Sequence, residues 1–350
     1  GRWGRCLRQC PSPWVKRCRF SAVRACGLSQ LVSVAPPGAA SSGVRAMGRS
    51  SATSSSIENI DESKNPTLAR VAKDRELTHY SEGPHYRVVC LESGSRRNDL
   101  PIFTSIPGAV RFDDESARPQ PSRADAPGVP GGFVIRDVLT RRECDQLVKL
   151  SETMGYTEDA PVSLDRRIRQ NENCVWIADP ELNETIFRRC EPHFPPEVQG
   201  GAVCGLNARW RLYKYNPQDV FRVHTDGSWP GSGLDGDGRL VRDLYGDRWS
   251  QLTIVLYLND EFEGGSTRFF YPVDDAGREH KVVEVRDACG SAVCFFHGEH
   301  PLSPLHEGGL VQVGTKYIIR SDVLYKLPGC GKETFQEGWR QHYASLNPEE

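Results

Sequence analysis

The sequence predicts a mainly β protein with flanking helices and a jelly-roll or β-sandwich core. Short segments rich in β-branched and aromatic residues follow one another from Arg209 onwards, and turn residues separate them. Two amphipathic helical segments precede this series, which is typical of a sheet core with helices on one side. The chain has 350 residues, 38% of them hydrophobic, which suits one large domain or two average ones.

Composition divides the chain into four parts. Residues 1–57 are basic and rich in Ser and contain no Asp or Glu. They are typical of an organelle transit segment, or else translation starts at Met47 and the upstream residues are a gene-model artefact. Residues 58–127 form a polar region that ends in a Pro-rich linker, residues 128–327 carry the predicted core, and residues 328–350 form a polar tail. The localisation is therefore left open between cytoplasm and organelle.

Charge, hydropathy and cysteine usage exclude several classes of protein. No apolar run approaches the ~20 residues that a membrane helix requires, so we expect no membrane partner. A net charge of −2 argues against a nucleic-acid partner. The twelve cysteines include no Cys-x-x-Cys pair, which argues against a structural zinc site and favours buried free thiols.

Capping residues predict where the two helices begin. Thr140-Arg141-Arg142-Glu143 has the pattern of a capping box, apolar residues follow it at helical spacing, and Gly155 suits the helix end. A second helix is predicted from Asp179-Pro180, because Asp is a good N-cap and proline is favoured at the first helical position.

The strands are predicted from residue type and alternation. In Gln251–Asn259, Thr253, Val255 and Tyr257 fall on one face, and four aliphatic residues fall on the other. Residues 229–249 are predicted as a loop. The predicted strands are Tyr86–Cys90, Arg209–Tyr215, Val220–Asp226, Gln251–Asn259, Ser266–Tyr271, Lys281–Val285, Ser291–Phe296 and Thr315–Asp322.

The stretch His224-Thr225-Asp226 carries the clearest chemical signal. Residues i and i+2 of a strand point to the same face, so this imidazole and carboxylate can bind one metal ion. A third ligand must come from elsewhere, and His306 precedes the last predicted strand. Two histidines and one carboxylate on one face of an octahedral ion form the facial triad of non-haem Fe(II) oxygenases. The alternative is that His224 is a strand-edge histidine without a metal.

Two cations lie on the last predicted strand. Lys316 follows His306 by ten residues, and Arg320 lies four residues further on the same face. A cation on an apolar strand is costly unless it is paired, so either residue could bind a carboxylate of a ligand. The alternative is an exposed charge. By contrast, His297-Gly298-Glu299-His300 is expected to form a solvated loop.

The order of the motifs resembles a known family. From about residue 130 to 327 the chain resembles the prolyl 4-hydroxylase-like branch of the Fe(II)/2-oxoglutarate dioxygenases. Besides His224-x-Asp226, the motifs that carry the resemblance are Tyr215 and Phe221 ahead of His224, Thr253–Asn259, Gly264-Gly265-Ser266-Thr267-Arg268-Phe269, Gly290–Phe296, and His306-Glu307-Gly308-Gly309 with Gly314-x-Lys316.

The resemblance implies a double-stranded β-helix (jelly roll) in which His224, Asp226 and His306 hold Fe(II) and form the catalytic centre. It implies that 2-oxoglutarate chelates the iron and that Lys316, or Arg320 in its place, pairs with the distal carboxylate. Tyr215 and Thr253 are then expected to donate hydroxyl hydrogen bonds to the same distal carboxylate.

The family couples decarboxylation of 2-oxoglutarate to succinate with O2-dependent hydroxylation of a substrate C–H bond, and ascorbate (vitamin C) commonly keeps the iron as Fe(II). The resemblance therefore implies a prolyl-hydroxylase-like oxidoreductase that acts on a peptide. The same chemistry on a free amino acid or other small molecule stays open, as do a cupin-like metal enzyme without 2-oxoglutarate and a non-catalytic binding module. The chain departs from the family at Asn216–Asp219, where a glycine is expected, and in its long loop after Asp226.

Overall fold

The structure is a computed structural model, and it describes residues 85–94, 96–160, 169–273 and 279–326. The predicted segments 1–57 and 328–350, together with 58–84 of the polar region, lie outside the described residues. The helices are α1 (Arg141–Met154) and α2 (Pro180–Cys190), and a 3₁₀ turn follows at Glu191–His193. None of the helices in the described ranges is long and apolar enough to cross a membrane.

The strands begin with a group that precedes the predicted core, and the core strands follow. The first group is β1 (Tyr86–Glu92), β2 (Leu100–Ser105), β3 (Ser122–Asp125), β4 (Phe133–Arg136), β5 (Glu172–Ile177), β6 (Glu197–Val198) and β7 (Gly201–Leu206). The second is β8 (Arg209–Tyr215), β9 (Phe221–His224), β10 (Gly233–Leu234), β11 (Leu240–Val241), β12 (Arg248–Tyr257), β13 (Phe262–Gly264), β14 (Thr267–Pro272), β15 (His280–Val285), β16 (Ala292–Phe296), β17 (Leu305–Gly308), β18 (Val311–Gly314) and β19 (Lys316–Lys326).

Eight strands form the jelly roll that the sequence predicts. One sheet has the order β8-β19-β12-β16, and the other has the order β9-β17-β14-β15. The chain alternates between the sheets from β8 to β9, from β9 to β12 and from β12 to β14, and again from β15 to β19. This alternation with antiparallel pairing is the double-stranded β-helix arrangement, so the predicted fold class is confirmed.

The larger sheet extends beyond these four strands on both sides. The strands β5, β2 and β1 continue it next to β8, and β4 and β3 continue it next to β16. The sequence analysis placed β1 in a polar region and predicted a linker across β3. The structure differs in the second case, because Ser122–Asp125 pairs with β4 as an edge strand. A short hairpin, β10–β11, likewise interrupts the predicted loop at residues 229–249.

The two faces of the larger sheet pack against different elements. Its outer face packs on α1 and α2, through buried residues such as Leu147, Ile186 and Trp210. Its inner face packs on the smaller sheet, through Tyr213, Val255 and Phe269 among others. The predicted alternation in β12 is confirmed, because Leu252, Ile254, Leu256 and Leu258 belong to the outer core. The inner face, which carries Thr253, is therefore available for chemistry.

The predicted helix starts are confirmed in detail. The Thr140 hydroxyl accepts from the Glu143 amide, and the Glu143 carboxylate accepts from the Thr140 amide. Asp179 caps α2 by accepting from the amide of Leu182. The buried Glu143 also accepts two hydrogen bonds from Arg189 of α2, at 2.8 and 3.0 Å. One carboxylate thus caps α1 and ties it to α2.

Candidate active site

His224, Asp226 and His306 lie together on the inner face of the smaller sheet. The two histidines face each other across the β9–β17 pair, with ring centroids 4.3 Å apart. Asp226 follows β9, and its carboxylate oxygens lie 3.7 Å from His224 Nε2 and 3.6 Å from His306 Nε2. One ligand atom from each residue falls within 4.8 Å of the other two. Strand pairing therefore brings the distant His306 to the predicted His-x-Asp.

The backbone orients both imidazole rings. His224 Nδ1 lies 2.8 Å from the carbonyl oxygen of Arg222, and His306 Nδ1 lies 3.3 Å from that of Pro304. A carbonyl only accepts, so each Nδ1 carries the proton and each Nε2 keeps its lone pair towards Asp226. Burial lowers the pKa of His224, and it lowers the pKa of His306 to about 4. Both rings are therefore neutral near pH 7, which is the form that binds metal.

A buried hydrogen-bonded chain holds the carboxylate. The Thr253 hydroxyl donates to Asp226 Oδ2 at 2.7 Å, and His297 Nδ1 lies 2.9 Å from the same hydroxyl. His297 Nε2 in turn lies 2.9 Å from Ser250 Oγ. The donors fit one pattern: Ser250 donates to Nε2, Nδ1–H donates to Thr253, and Thr253 donates to Asp226. Burial lowers the pKa of His297, so this ring is neutral as the pattern requires.

Asp226 is ionised although it is buried. Burial by itself raises its pKa, but Arg320 and the two histidines outweigh that effect, and the pKa is held well below its ordinary value. Arg320 Nη2 lies 3.2 Å from Asp226 Oδ2 and 3.1 Å from Asp322 Oδ1. The side chains of His224, Asp226 and His306 keep 16%, 13% and 7% of their surface exposed, so a ligand can reach the cluster.

Lys316 is a buried cation with an apolar and aromatic environment. Its Nζ donates to the carbonyl oxygen of Gly265 at 2.6 Å and lies 5.1 Å from the ring centroids of both Tyr215 and Tyr257. Within the described ranges no carboxylate lies within ion-pair distance of this nitrogen. Burial, with a smaller effect of Arg286, lowers the pKa of Lys316 to about 7. An anionic ligand would relieve this cost.

Tyr215 packs closely against the backbone of β17 beside Lys316. Gly308 lies on β17 two residues after His306, and a Cβ there would stand 3.1 Å from the hydroxyl of Tyr215. Tyr215 is opposite Lys316 in the β8–β19 pair. Gly265, whose φ is +63°, turns its carbonyl towards Lys316 from the other side. The Gly-Gly turn and Gly308 thus let the side chains of Lys316 and Tyr215 pack closely against the backbone.

The structure separates the predicted site residues into two groups. Tyr215 and Lys316 are neighbours, whereas Thr253 and Arg320 adjoin Asp226. Thr253 is opposite Asp322, six residues beyond Lys316 on β19, which is roughly 20 Å along the strand at ~3.3 Å per residue. The expectation that Thr253 donates to the carboxylate bound by Lys316 is therefore corrected: its hydroxyl is committed to Asp226.

The sequence analysis missed His297. It was expected in a solvated loop, but it is only 1% exposed and belongs to the chain that orients Asp226. The next residue, Gly298, has a φ of +62° and donates its amide to the carbonyl oxygen of Asp226. Alternation could have identified His297, because Val293, Phe295 and His297 follow one another at i, i+2 and i+4 towards the inner face.

The donor set fits a divalent transition metal. Two neutral imidazole nitrogens and one carboxylate on one side of an ion leave positions open on the other side, as in the 2-His-1-carboxylate triad. The Nδ1–carbonyl contacts and the Thr253–Asp226 hydrogen bond are the outer contacts that commonly fix such ligands. The buried Lys316, which has no carboxylate within ion-pair distance in the described ranges, fits an additional small anion.

Comparison with known proteins gave matches among solved structures. No family model and no curated protein sequence matches the chain. A viral collagen prolyl hydroxylase from Paramecium bursaria Chlorella virus-1 is 17% identical, covering 60% of this chain and 97% of its own, with a TM-score of 0.35. A prolyl hydroxylase from Trichoplax adhaerens, in complex with a hypoxia-inducible factor peptide, is 17% identical over 55% and 83%, with a TM-score of 0.38.

A 2OG-Fe(II) oxygenase family oxidoreductase from Burkholderia pseudomallei is 10% identical, covering 58% of this chain and 88% of its own, with a TM-score of 0.32. The solved structures that are similar to this chain thus include prolyl hydroxylases and 2OG-Fe(II) oxygenases, at low identity and low TM-score. The jelly-roll assignment itself stands on the strand order and pairing of this chain.

Proposed function

We propose that the protein is an Fe(II)- and 2-oxoglutarate-dependent dioxygenase that hydroxylates a substrate C–H bond. The observation that carries the proposal is the His224, Asp226 and His306 cluster inside a jelly roll, with Lys316 buried nearby. Bound Fe(II) and 2-oxoglutarate would supply O2-dependent oxidation, with succinate and CO2 as coproducts. The sequence resemblance adds ascorbate as the reductant that sustains Fe(II).

The protein's own residues would bind and orient. His224 and His306 present Nε2, and Asp226 is kept ionised by Arg320 and kept in place by Thr253. Lys316 would pair with the distal carboxylate of 2-oxoglutarate, which gives the unpaired ammonium group its counter-charge. The Tyr215 hydroxyl, which lies beside Gly308, would donate to the same carboxylate. We assign the distal carboxylate to Lys316 rather than to Arg320, because Arg320 Nη2 lies within 3.2 Å of Asp226 and Asp322.

Peptidyl proline is the substrate that the sequence resemblance favours, and a free amino acid or other small molecule is the alternative. A non-catalytic binding module fits less well, because all three ligand positions are filled. A cupin-like enzyme without 2-oxoglutarate would give Lys316 no partner. The metal-site and cosubstrate proposals can both be tested before the substrate is known.

The test is an anaerobic titration of the full chain with Fe(II) and then 2-oxoglutarate, monitored for the visible charge-transfer band of the chelate. We expect a band in the wild type, none in His224→Ala, and a band that needs far more 2-oxoglutarate in Lys316→Met. Lys326→Met, at the exposed end of the same strand, is the matched control. Metal binding without a band would favour a cupin-like enzyme, and no metal binding would favour a binding module.

A further inference from the structure

A third inner-face cation lies next to Arg320. Arg211 of β8 is the register partner of Arg320 on β19, and both side chains point to the inner face together with Tyr213 and Tyr215. Arg320 contacts Asp226, so Arg211 lies one strand from the ligand cluster. Arg211 and Arg320 thus lie on the Asp226 side of the site. Lys316 precedes Arg320 by four residues on β19.

Arg211 has no acidic partner within the described ranges. It is partly buried, and its guanidinium carbon stands 5.4 Å from the ring centroid of Trp229, in the long loop after Asp226. Its neighbour Arg209 on the same face is paired with Glu92 at 2.7 Å. Burial, followed by the charge of Arg320, lowers the pKa of Arg211. A cation in such surroundings is stabilised by an anion.

Arg320 also has unused hydrogen-bonding capacity. Its side chain is buried, and its Nε and Nη2 atoms have no hydrogen-bond acceptor with good geometry, although Nη2 lies near two carboxylates. Once Asp226 binds a divalent ion, Asp322 is left in the described ranges as the carboxylate that faces both Arg320 and Arg211. Two adjacent guanidinium groups that share one carboxylate within the described ranges can bind an oxyanion.

The surface beside these residues is open. Arg211 and Tyr213 line a small cavity together with Arg169 and Arg209, and the cavity opens to solvent. Arg211 contributes positive charge to this opening, which favours entry of an anion, whereas the charge of Arg209 is balanced by Glu92. Arg211 and Arg320 lie four residues from Tyr215 and Lys316 along their strands, so the distal carboxylate of 2-oxoglutarate at Lys316 and an anion at Arg211 would not compete.

We propose that Arg211 and Arg320 bind a carboxylate of the substrate that is oxidised, and so fix its position relative to the metal. This inference rests on the dioxygenase function proposed above and narrows its substrate class to carboxylate-bearing molecules. The carboxylate has two sources that fit equally: an acidic side chain beside the target residue of a peptide, or the free carboxylate of an amino acid.

The experiment uses the full chain loaded anaerobically with Fe(II) and 2-oxoglutarate. Its probes are acid and amide pairs: proline-centred peptides with Glu or Gln next to proline, and free amino acids with their carboxamides. Binding is measured by calorimetry, and succinate formation is then measured after O2 is admitted. We expect at least one acid to bind about tenfold or more tightly than its amide. Whether that acid is a peptide or a free amino acid then identifies the source of the carboxylate.

Three variants test whether Arg211 causes the preference for an acid over its amide. Arg211→Gln should reduce the acid-to-amide ratio to near one, Arg211→Lys should leave an intermediate ratio, and Arg239→Gln at an exposed loop position should leave it unchanged. The chelate band with 2-oxoglutarate should persist in all three, which separates this inference from the proposed function. A wild type that prefers no acid over its amide, or an Arg211→Gln protein that keeps the preference, overturns the inference.

Discussion

Replacing Lys316 by Met should stabilise the protein while it weakens cosubstrate binding. Burial lowers the pKa of Lys316 from its ordinary value of 10.5 to about 7. Each pKa unit corresponds to ~1.4 kcal/mol, so the charged form costs about 5 kcal/mol when it is fully populated and about 4 kcal/mol at pH 7. Met has a similar volume but leaves the carbonyl of Gly265 without its donor, which costs about 1–3 kcal/mol. The free energy of unfolding should therefore rise by about 1–3 kcal/mol.

The pH dependence of the free energy of unfolding tests independently whether the Lys316 ammonium group destabilises the folded protein. The folded protein binds the Lys316 proton less tightly than the unfolded chain does, so wild-type stability gains from this group as pH rises from about 7 to 10.5. Between pH 7 and pH 9 the gain is about 2 kcal/mol, and Lys316→Met lacks it. Urea unfolding of both proteins at the two pH values, without 2-oxoglutarate, measures the difference.

The control for this prediction is a lysine on the same strand whose side chain is exposed. Lys326→Met at the exposed end of β19 should change stability by less than about 0.5 kcal/mol. Adding 2-oxoglutarate with a redox-inert divalent metal at pH 7 should stabilise the wild type and leave Lys316→Met nearly unchanged. If Lys316→Met is less stable than the wild type at both pH values, with the same pH dependence, the ammonium group has a carboxylate partner and the reasoning fails.

Four further outcomes are expected around the same site. Asp226→Ala should lose Fe(II) binding and succinate formation while far-UV circular dichroism shows an intact fold; retained turnover would contradict the ligand assignment. Thr253→Val should lower metal affinity about 10- to 100-fold in a competition assay, and Thr253→Ser should restore it. Gly308→Val should weaken 2-oxoglutarate binding in a chelate titration but leave metal affinity unchanged, because the new side chain would displace Tyr215 beside Lys316; unchanged 2-oxoglutarate binding would contradict the role of Tyr215. Because burial lowers the pKa of His306 to about 4, metal affinity should stay level from pH 8 to 6 and fall towards pH 4; a fall centred near 6.5 would show an exposed ring.

Local rules predicted the parts of the structure that depend on neighbouring residues. The capping box at Thr140 and the N-cap at Asp179 form as expected, because their hydrogen bonds span only three residues. Alternation correctly assigned the two faces of β12. The pairing of His224 with Asp226 also followed from an i, i+2 spacing. The assignment of His306 depended on the family resemblance, because no local rule links residues on separate strands.

What the sequence analysis did not predict depends on strand order. Ser122–Asp125 has a polar composition, and it is a strand because β4 offers it an open edge. Thr253 faces Asp226 rather than Lys316 because β12 and β19 are antiparallel in a particular register. The burial of His297 depends on the loop that carries Gly298 against the backbone of Asp226. Register and loop packing are set by the whole sheet, so residue type alone could not give them.

Two cations on the inner face of β19 differ in the groups that they contact, although their spacing in the sequence gives no reason to tell them apart. Lys316 and Arg320 lie on the same face, but Arg320 has Asp226 and Asp322 within 3.2 Å, whereas Lys316 has a carbonyl group and aromatic rings. A buried cation without an anion lowers stability, and an apolar residue at position 316 would pack at lower cost. A ligand that brings a negative charge to Lys316 recovers this cost as binding free energy, while Arg320 remains available to hold Asp226 in its ionised form. The two cations therefore have different partners and different electrostatic costs, although they share one face of β19.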